Sequence, residues 1–526
     1  VYDPADRTEG TSVDVIPAPR SSGSVLKPLL YAAMLDNGTA LPAMLFPDVP
    51  TYYRDFTPQN YNRTFDGAVP ADRVVERSLN VPSVRMLDKY GKENFLALVR
   101  ALGFGTIDRS AAHYGLSLIL GGAEISLWDL TSAYMKLAAK LNGRQTIRTP
   151  HYDPGGGTAV DAGDIPLSRG AIWLMANSIS HVARPEEEGE WQYFSSSKKI
   201  GWKTGTSYGN RDAWAVGMTP DYAVGVWVGN CTGEGRPLMT GVGYAAPVLF
   251  EVFGLLPKGE WFAEPVGDLE PAVVCRQSGY LASHICPDRD TVMIPRAAAL
   301  GEVCPYHRIV NLSADLKYRV TADCYDPARI VRMPMFILPP AQEWYYRRQH
   351  PDYRPLPPLH PGLPGNQAEN NPIDIIYPQP GRVLVAPRSL EGEQQSLVFT
   401  AVHRDRNAVL FWHIDDDYVG STSFEHKVSV RPAPGKHRLT VIDEHGASQS
   451  VVFSCRTSAS RRSSYPSQKA LWPLTCRRCM MPSWNSSTAP VRRRNSAASK
   501  GMAAGIGVSV SFSFHWLVAR ASSVET

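Results

Sequence analysis

The chain lacks the long apolar segment that a membrane-spanning helix requires, because no apolar run reaches about 18 residues. Its first residues, VYDPADRTEG, have neither the basic flank nor the apolar stretch of a secretory signal, and methionine does not come first. We therefore expect a fragment whose front is missing, without a membrane anchor of its own.

Most of the chain also lacks excess positive charge. The net charge is +4 over 526 residues, yet the last 72 residues hold eleven Lys and Arg against one acidic residue. The body is therefore mildly acidic, which argues against a nucleic-acid partner. The tail is rich in Ser and Arg and has no hydrophobic period, so we predict that it is either disordered or a translation artefact.

Cysteine is scarce outside one segment. The chain has eight cysteines, and four of them fall within 50 residues: Cys275, Cys286, Cys304 and Cys324. An even, local set favours disulfides in an oxidising compartment. Zinc is the rival, since Cys304 and His307 are close in sequence, but the gap between Cys275 and Cys286 fits paired ligands poorly. We predict disulfides, with no metal and no cofactor.

Hydrophobic periodicity divides the first half of the chain into helices followed by strands. Helical spacing of apolar residues, with Ser caps on the last two, marks three segments: ENFLALVRALGFG, SLWDLTSAYMKLAAKLNG and LSRGAIWLMANSISHV. Short β-branched and aromatic runs then predict consecutive antiparallel strands: SKKIGWKTGTS, RDAWAVGMT and DYAVGVWVGN. This order predicts an α+β domain with an antiparallel sheet flanked by helices.

Changes in amino-acid composition indicate the remaining domain boundaries. Proline is concentrated after the cysteine segment, which predicts a stiff, extended connector. Short alternating runs separated by turns follow it and predict a small all-β sandwich. The predicted units are a first domain at 1–264, a cysteine segment at 265–336, a linker at 337–371, a sandwich at 372–454 and the basic tail at 455–526.

The first chemical candidate is the pair Ser24 and Lys27. They stand three positions apart before an apolar helical run, so on a helix the lysine can reach the serine hydroxyl. The helix N-terminus also offers N–H groups to a developing oxyanion. The spacing alone is weak, because it recurs at Ser195/Lys198 and at Ser196/Lys199.

Two further motifs follow in order. Ser78 and Asn80 stand two apart, so in an extended or loop segment both side chains point the same way. The segment from Lys203 to Thr206 sits on a predicted strand, where lysine and threonine hydroxyls can hold a carboxylate. Gly205 lets a substrate backbone lie against that strand. For the last motif alone, a protective lysine on an edge strand is the simpler interpretation.

Together the three motifs resemble those of the penicillin-recognising serine acyltransferases. The segments APRSSGSVLKPLLYA, RSLNVPSV and KTGTSYGNRDAWAVGMTPDYAVGVWVGN are similar to the transpeptidase domain of class A penicillin-binding proteins of the 1C type. The linker and sandwich are similar to the C-terminal extension of that type, which is Ig-like.

The resemblance implies a peptidoglycan D,D-transpeptidase. Ser24 would be the nucleophile, Lys27 its base, and Ser78 the proton relay. The substrate would be bound by Asn80, Lys203, Thr204, Gly205 and Thr206. Implied partners are stem peptides ending in D-Ala-D-Ala, β-lactams as inhibitors, and a wall polymer or protein on the sandwich.

The resemblance also implies what should surround this domain. The parent protein would carry a glycosyltransferase domain and an anchor at the periplasmic face of the inner membrane. The fold would have a five-stranded sheet, of which three strands are recognisable, so two would precede residue 1. Alternatives that share the motifs are a serine β-lactamase, a D,D-carboxypeptidase and a non-enzymatic sensor or scaffold that binds β-lactam or peptidoglycan.

Overall fold

A computed structural model describes most of the chain. The described residues are 14–51, 53, 56–148, 159–161, 164–185, 198–362, 371–386, 395–415, 417–444, 446–457 and 513–520. Ser195, Ser196 and most of the basic tail lie outside them. In the described part of the chain, no helix is both long and apolar enough to cross a membrane.

The helices are concentrated in the first half of the chain. In chain order they are α1 Lys27–Asp36, α2 Ala71–Glu76, α3 Asn80–Tyr90, α4 Lys92–Ala101, α5 Ala111–Tyr114, α6 Leu127–Leu141, α7 Arg169–Ser180, α8 Ala246–Leu255 and α9 Pro340–Gln349.

The strands fall into small sheets along the whole chain. They are β1 Arg20–Ser21, β2 Leu45–Asp48, β3 Gly67–Pro70, β4 Glu124–Ile125, β5 Thr146–Arg148, β6 Ala159–Asp161, β7 Gly201–Thr206, β8 Asp212–Met218, β9 Tyr222–Gly229, β10 Leu269–Cys275, β11 Arg289–Pro295, β12 His307–Leu312, β13 Val331–Phe336, β14 Ile373–Tyr377, β15 Val383–Ala386, β16 Leu397–His403, β17 Val409–Ile414, β18 Asp417–Ser423, β19 Lys427–Val430, β20 Gly435–Asp443, β21 Ser448–Thr457 and β22 Ser513–Arg520.

The predicted helices and strands of the first half are confirmed. The three predicted helices are α4, α6 and α7, and the last two are capped by Ser126 and Ser168, whose side chains accept backbone N–H bonds. The three predicted strands are β7, β8 and β9, paired antiparallel in that order.

A fourth strand joins this sheet from the tail. Residues 513–520 form β22, which pairs antiparallel with β9 and leaves β7 at the opposite edge. These eight residues form a strand and are not disordered, because β9 offers a row of backbone hydrogen-bonding groups that an added strand can use. The resemblance implied five strands, and four lie in the described residues.

Helices cover both faces of the sheet. Val216 pairs with Gly225, so the neighbouring Gly217 points to the other face. A Cβ atom at Gly225 would lie 2.1 Å from Thr131 of α6, and one at Gly217 would lie 2.8 Å from Phe253 of α8. The two glycines therefore let a helix approach closely on each side, which gives a three-layer α+β architecture.

Helix α1 lies at the centre of the domain. Every residue from Lys27 to Leu35 is buried, and Pro28 occupies its first turn, where no backbone donor is needed. A helix that is apolar around its whole circumference belongs inside a core. Burial fixes the start of α1, and with it the turn that contains Ser24.

The later part of the chain departs from its predictions. The cysteine segment, which showed no period, forms two antiparallel hairpins, β10–β11 and β12–β13. The linker is not wholly extended, because it contains α9. Glu343 of α9 is buried and pairs with Arg347 of its own helix and with Arg404, which directly follows β16.

The predicted C-terminal β-region is present as two sheets. One has the order β14-β16-β19, and the other has the order β15-β21-β20-β17-β18. Their shared core includes Phe399, Trp412 and Phe453, each fully buried. The contact of β15 with β21 is parallel, while the remaining pairs in these two sheets are antiparallel.

Candidate active site

Ser24 lies in a turn between β1 and α1. The prediction that Ser24 and Lys27 share one face of a helix is therefore met only in their spacing, because the helix starts at Lys27. The helix begins at Lys27, whose backbone N–H donates to the carbonyl of Ser24 at 3.2 Å. The preceding strand is anchored by Trp214, whose indole Nε1 donates to the Ser21 carbonyl at 2.8 Å. The turn therefore still places the serine one helical turn before the lysine.

The Ser24 turn lies directly against the Lys203–Thr206 strand. A Cβ atom at Gly23, which has a φ of +52°, would lie 2.7 Å from the Thr206 nitrogen. A Cβ atom at Gly205 would lie 2.8 Å from the Ser22 carbonyl oxygen and 3.3 Å from the Ser24 nitrogen. Two glycines thus allow the two backbones to touch, and they bring the first and third motifs together.

The Lys27 amine joins the first motif to the second. Its Nζ is 2.7 Å from Asn80 Oδ1, 2.8 Å from the Ser78 carbonyl and 3.1 Å from the Leu79 carbonyl. The side chain is 1 % exposed. The pKa of Lys27 is lowered well below its usual value, first by burial and second by the charge of Lys203.

Ser78 lies in a turn, within the predicted extended or loop segment, whereas Asn80 already belongs to a helix. Ser78 adopts a left-handed backbone conformation with a φ of 56°, which is uncommon for a non-glycine residue, and Asn80 is the first residue of α3. Their side chains consequently reach different lysines, since the Asn80 amide contacts Lys27 while the Ser78 hydroxyl contacts Lys203. Strained residues of this kind are concentrated at functional sites.

Lys203 joins the third motif to the second. Its Nζ donates to Ser78 Oγ at 2.8 Å and to the Thr204 carbonyl at 2.8 Å. The side chain is 1 % exposed, and burial lowers the pKa of Lys203 to about 7. A lysine with this pKa is divided between its charged and neutral forms near neutral pH.

Thr206 faces a turn that follows the sheet. Its Oγ1 accepts from the backbone N–H of Gly241 at 3.0 Å. Because that contact uses an oxygen lone pair, the hydroxyl proton is left available for an acceptor such as a carboxylate. Thr204 and Gly205 lie beside it on β7, so the predicted strand is present.

Sequence reasoning missed the residues that hold Asn80. Asn60 is 2 % exposed, and its Oδ1 accepts from the backbone N–H groups of Asn80 and Val81 at 3.0 and 3.1 Å. It thereby caps α3, which has no side-chain cap of its own. Its Nδ2 donates to Asp48 Oδ1 at 2.8 Å. No sequence motif marks Asn60, because it acts across twenty residues.

The four cysteines are not bound in disulfides. All described cysteines are free thiols, and three of them, Cys275, Cys286 and Cys304, gather around His307. Cys324 instead contacts Thr321. The predicted disulfides are therefore absent from the described residues, because the two hairpins converge on a histidine and leave Cys324 outside.

Two family profiles match the chain. That of the penicillin binding protein transpeptidase domain matches residues 1–253, and that of the Penicillin-Binding Protein C-terminus Family matches residues 364–453. Both matches agree with the resemblance inferred from the three motifs. The second also gives the C-terminal β-region a family assignment.

Parts of the chain are also similar in sequence to known proteins. Penicillin-binding protein 1C of Escherichia coli is 36% identical over 247 residues, which are 46% of this chain and 30% of that protein. Penicillin-binding protein 1F of Bacillus subtilis is 30% identical over 276 residues, 49% of this chain and 37% of that protein. This chain thus spans about a third of the length of these relatives.

A solved structure is also similar, that of penicillin-binding protein 1A from Haemophilus influenzae. It has a TM-score of 0.42 and 17% identity, and the match covers 55% of this chain and 50% of that one. The two profile matches, together with the likeness to the 1C protein, carry the assignment. Residues 1–253 therefore carry a penicillin binding protein transpeptidase domain, and residues 364–453 carry a domain of the Penicillin-Binding Protein C-terminus Family.

Proposed function

We propose that this chain is a serine D,D-transpeptidase that cross-links peptidoglycan, with Ser24 as its nucleophile. The observation that carries the proposal is the convergence of three separate motifs. The Ser24 turn touches the Lys203–Thr206 strand, Lys27 contacts Asn80 at 2.7 Å, and Lys203 contacts Ser78 at 2.8 Å.

Lys27 is the proposed base for Ser24. An ammonium group can donate to all three of its acceptors, whereas a neutral amine has two protons and one lone pair. Burial and the neighbouring Lys203 favour the neutral form. When Lys27 loses a proton, it gives up one of these three hydrogen bonds. We expect it to give up the longest one, to the Leu79 carbonyl at 3.1 Å. The freed lone pair then takes the proton of Ser24 as its oxygen attacks.

Backbone N–H groups are proposed to stabilise the resulting oxyanion. The Ser24 nitrogen lies beside Gly205, and the Thr206 nitrogen lies beside Gly23. Two N–H groups at this junction can bind the carbonyl oxygen of the substrate, and fixed donors of this kind stabilise developing charge without reorganisation.

The edge strand is proposed to bind the donor peptide. The charged form of Lys203 and the hydroxyls of Thr204 and Thr206 would hold the terminal carboxylate. Asn80 would hydrogen-bond the peptide while it positions Lys27. Burial of Lys203 strengthens its attraction for a carboxylate, because few water molecules screen it.

The reaction would proceed in two balanced steps. Ser24 attacks the carbonyl of the penultimate D-alanine, and the C–N bond to the terminal D-alanine breaks. The proton taken by Lys27 passes through Ser78 to the leaving amine. An amine from a second stem peptide then attacks the ester, and the serine oxygen regains its proton. β-Lactams would acylate the same serine and remain bound.

The relatives support a wider proposal for the whole protein. The solved PonA1 protein from Mycobacterium tuberculosis was determined in complex with penicillin V. We extend β-lactam binding to this chain, together with a position at the periplasmic face of the inner membrane. We further propose that the parent protein carries a peptidoglycan glycosyltransferase and that the Ig-like C-terminal domain binds a wall polymer or protein partner.

The test is a reaction of the purified chain with a donor peptide that ends in D-Ala-D-Ala and an added D-amino acid as acceptor. We expect one D-alanine released for each acceptor incorporated, and no product from the Ser24→Ala variant. Release of D-alanine to water alone would instead identify a D,D-carboxypeptidase. Rapid turnover of a chromogenic cephalosporin would identify a β-lactamase, and acylation without any product would identify a sensor.

A further inference from the structure

A buried cluster of metal-binding side chains lies away from the candidate active site. Its members are Cys275, Cys286, Cys304 and His307, and their four ligand atoms all lie within 4.8 Å of one another. All four residues are buried. Three thiols and one imidazole form a common ligand set for structural zinc.

The cluster brings together segments that are far apart in sequence. Cys275 is the last residue of β10, and Cys286 lies in the loop that leads to β11. Cys304 precedes β12, and His307 is its first residue. The unusually wide spacing of the first two cysteines is therefore spanned by the β10–β11 connection, and it does not separate them in space.

The imidazole is turned toward the sulfur atoms. His307 Nδ1 is 3.4 Å from Cys275 Sγ and 3.5 Å from Cys304 Sγ. Tetrahedral zinc with ordinary bond lengths separates sulfur and nitrogen ligands by about 3.6 Å. The opposite nitrogen, Nε2, lies 2.9 Å from Gln277 Oε1. If Nε2 holds the proton and donates it to Gln277, the lone pair of Nδ1 is directed at the cluster.

Hydrogen-bond donors also surround the thiols. The Ser278 hydroxyl donates to Cys304 Sγ at 3.2 Å. The backbone N–H of Ser283 donates to Cys286 Sγ at 3.3 Å, and the Ser283 hydroxyl lies 3.2 Å from the same sulfur. Such donors stabilise the thiolate form that a metal requires, and they are typical outer partners of metal ligands.

We propose that Cys275, Cys286, Cys304 and His307 bind one structural Zn²⁺ ion. All four positions of a tetrahedral ion are then filled by protein, so the site is closed and has no place for a catalytic water. A disulfide would use only two of the three thiols and would leave one buried beside the histidine.

The ion would fasten the cysteine segment to the transpeptidase domain. The turn after Cys275 contacts β2, because the backbone N–H of Leu45 donates to the Ser278 carbonyl at 2.9 Å. In the same turn, Gly279 has a φ of +69°, and a Cβ atom there would lie 1.9 Å from the Ala43 carbonyl oxygen. Zinc would therefore hold rigid the turn that packs against the domain.

The test is the metal content of the full chain, purified in a non-thiol reductant without chelator. We expect about one zinc per chain, reduced to less than about a tenth in Cys304→Ser and in His307→Ala. The matched control Cys324→Ser, whose thiol lies outside the cluster, should keep its zinc. His307→Cys supplies a fourth thiolate and should also retain it.

A second measurement covers variants that fail to fold. Cobalt added to the metal-depleted wild-type chain should bind with one-to-one stoichiometry and show the strong visible bands of a tetrahedral thiolate site. Absence of zinc together with absence of these bands would overturn the proposal. A disulfide among Cys275, Cys286 and Cys304 in protein purified without reductant and with no zinc bound would overturn it as well. Neither result depends on transpeptidase activity.

Discussion

Two buried polar clusters in this chain are surrounded by hydrogen-bonding groups of opposite kinds. The lysine cluster, Lys27 and Lys203, brings two like charges together and surrounds them with neutral oxygen acceptors. The cysteine cluster gathers three thiols and an imidazole and surrounds the sulfur atoms with donors. The first is held in a state that favours losing a proton, and the second in a state that favours gaining a cation.

This difference separates a reactive site from a structural one. Burial disfavours the protonated form of both lysines, and the charge of Lys203 disfavours it further for Lys27, which leaves Lys27 available as a base. Soft ligands with donors behind them are completed by a single ion, which leaves no open position for chemistry. Substitutions in each cluster therefore test one half of this contrast.

The largest effect is expected from Lys27→Ala. Loss of a general base costs about 10²- to 10⁴-fold, so we expect penicillin acylation to slow by about 10³-fold. Stopped-flow acylation with a fluorescent penicillin measures this rate. Lys199→Ala is the matched control, because Lys199 also stands three residues after a serine yet packs on Trp261. Near-normal acylation by Lys27→Ala would remove the lysine from its assigned role.

Asn60→Ala should have the next largest effect. It leaves the N–H groups of Asn80 and Val81 without their acceptor, at a cost of about 1 to 3 kcal/mol in the free energy of unfolding. Urea unfolding measures this cost. Asn62→Ala, at an exposed position, is the control.

A positioning role for Asn60 predicts more than lost stability. The acylation rate of the folded variant should also fall, because Asn80 no longer holds Lys27 in place. A rate equal to that of the wild-type chain under fully folded conditions would reduce Asn60 to a structural cap.

Ser278→Ala probes the cysteine cluster with a smaller change. Removal of the hydroxyl that donates to Cys304 should weaken zinc binding by about tenfold, as for other outer partners of metal ligands. Competition with a chromophoric chelator measures the affinity. Thr321→Ala is the matched control, since its hydroxyl lies beside Cys324. Equal losses in both variants would argue against a specific outer partner.

The smallest expected effect is on the pH dependence of stability. The pKa of Lys203 is about 7 in the folded chain and about 10.5 when exposed. Between these values the unfolded state binds more protons, so stability should rise with pH. In Lys203→Met, chemical unfolding from pH 7 to 10 should show a shallower rise, with Lys27 supplying the remainder. An unchanged slope would show that Lys203 does not titrate in this window.

Motifs made the lysine cluster predictable from sequence, while topology made the cysteine cluster unpredictable. Ser24 and Lys27 are near neighbours, and their spacing survives although Ser24 lies in a turn. Cys275 and His307 are joined only through two hairpins, which periodicity did not reveal. Asn60 was equally hidden, because its partners belong to a helix that starts twenty residues later. Strand β22 pairs with β9 across almost three hundred residues, so no local sequence pattern predicts this pairing.

Peptide mapping by mass spectrometry after incubation with penicillin is the most direct test of Ser24 as the nucleophile. We expect one penicilloyl group per chain, attached to Ser24, and none in Ser24→Ala. Ser195→Ala, which alters another serine with the same lysine spacing, should be labelled like the wild-type chain. An adduct on a different serine, or undiminished labelling of Ser24→Ala, would contradict the account.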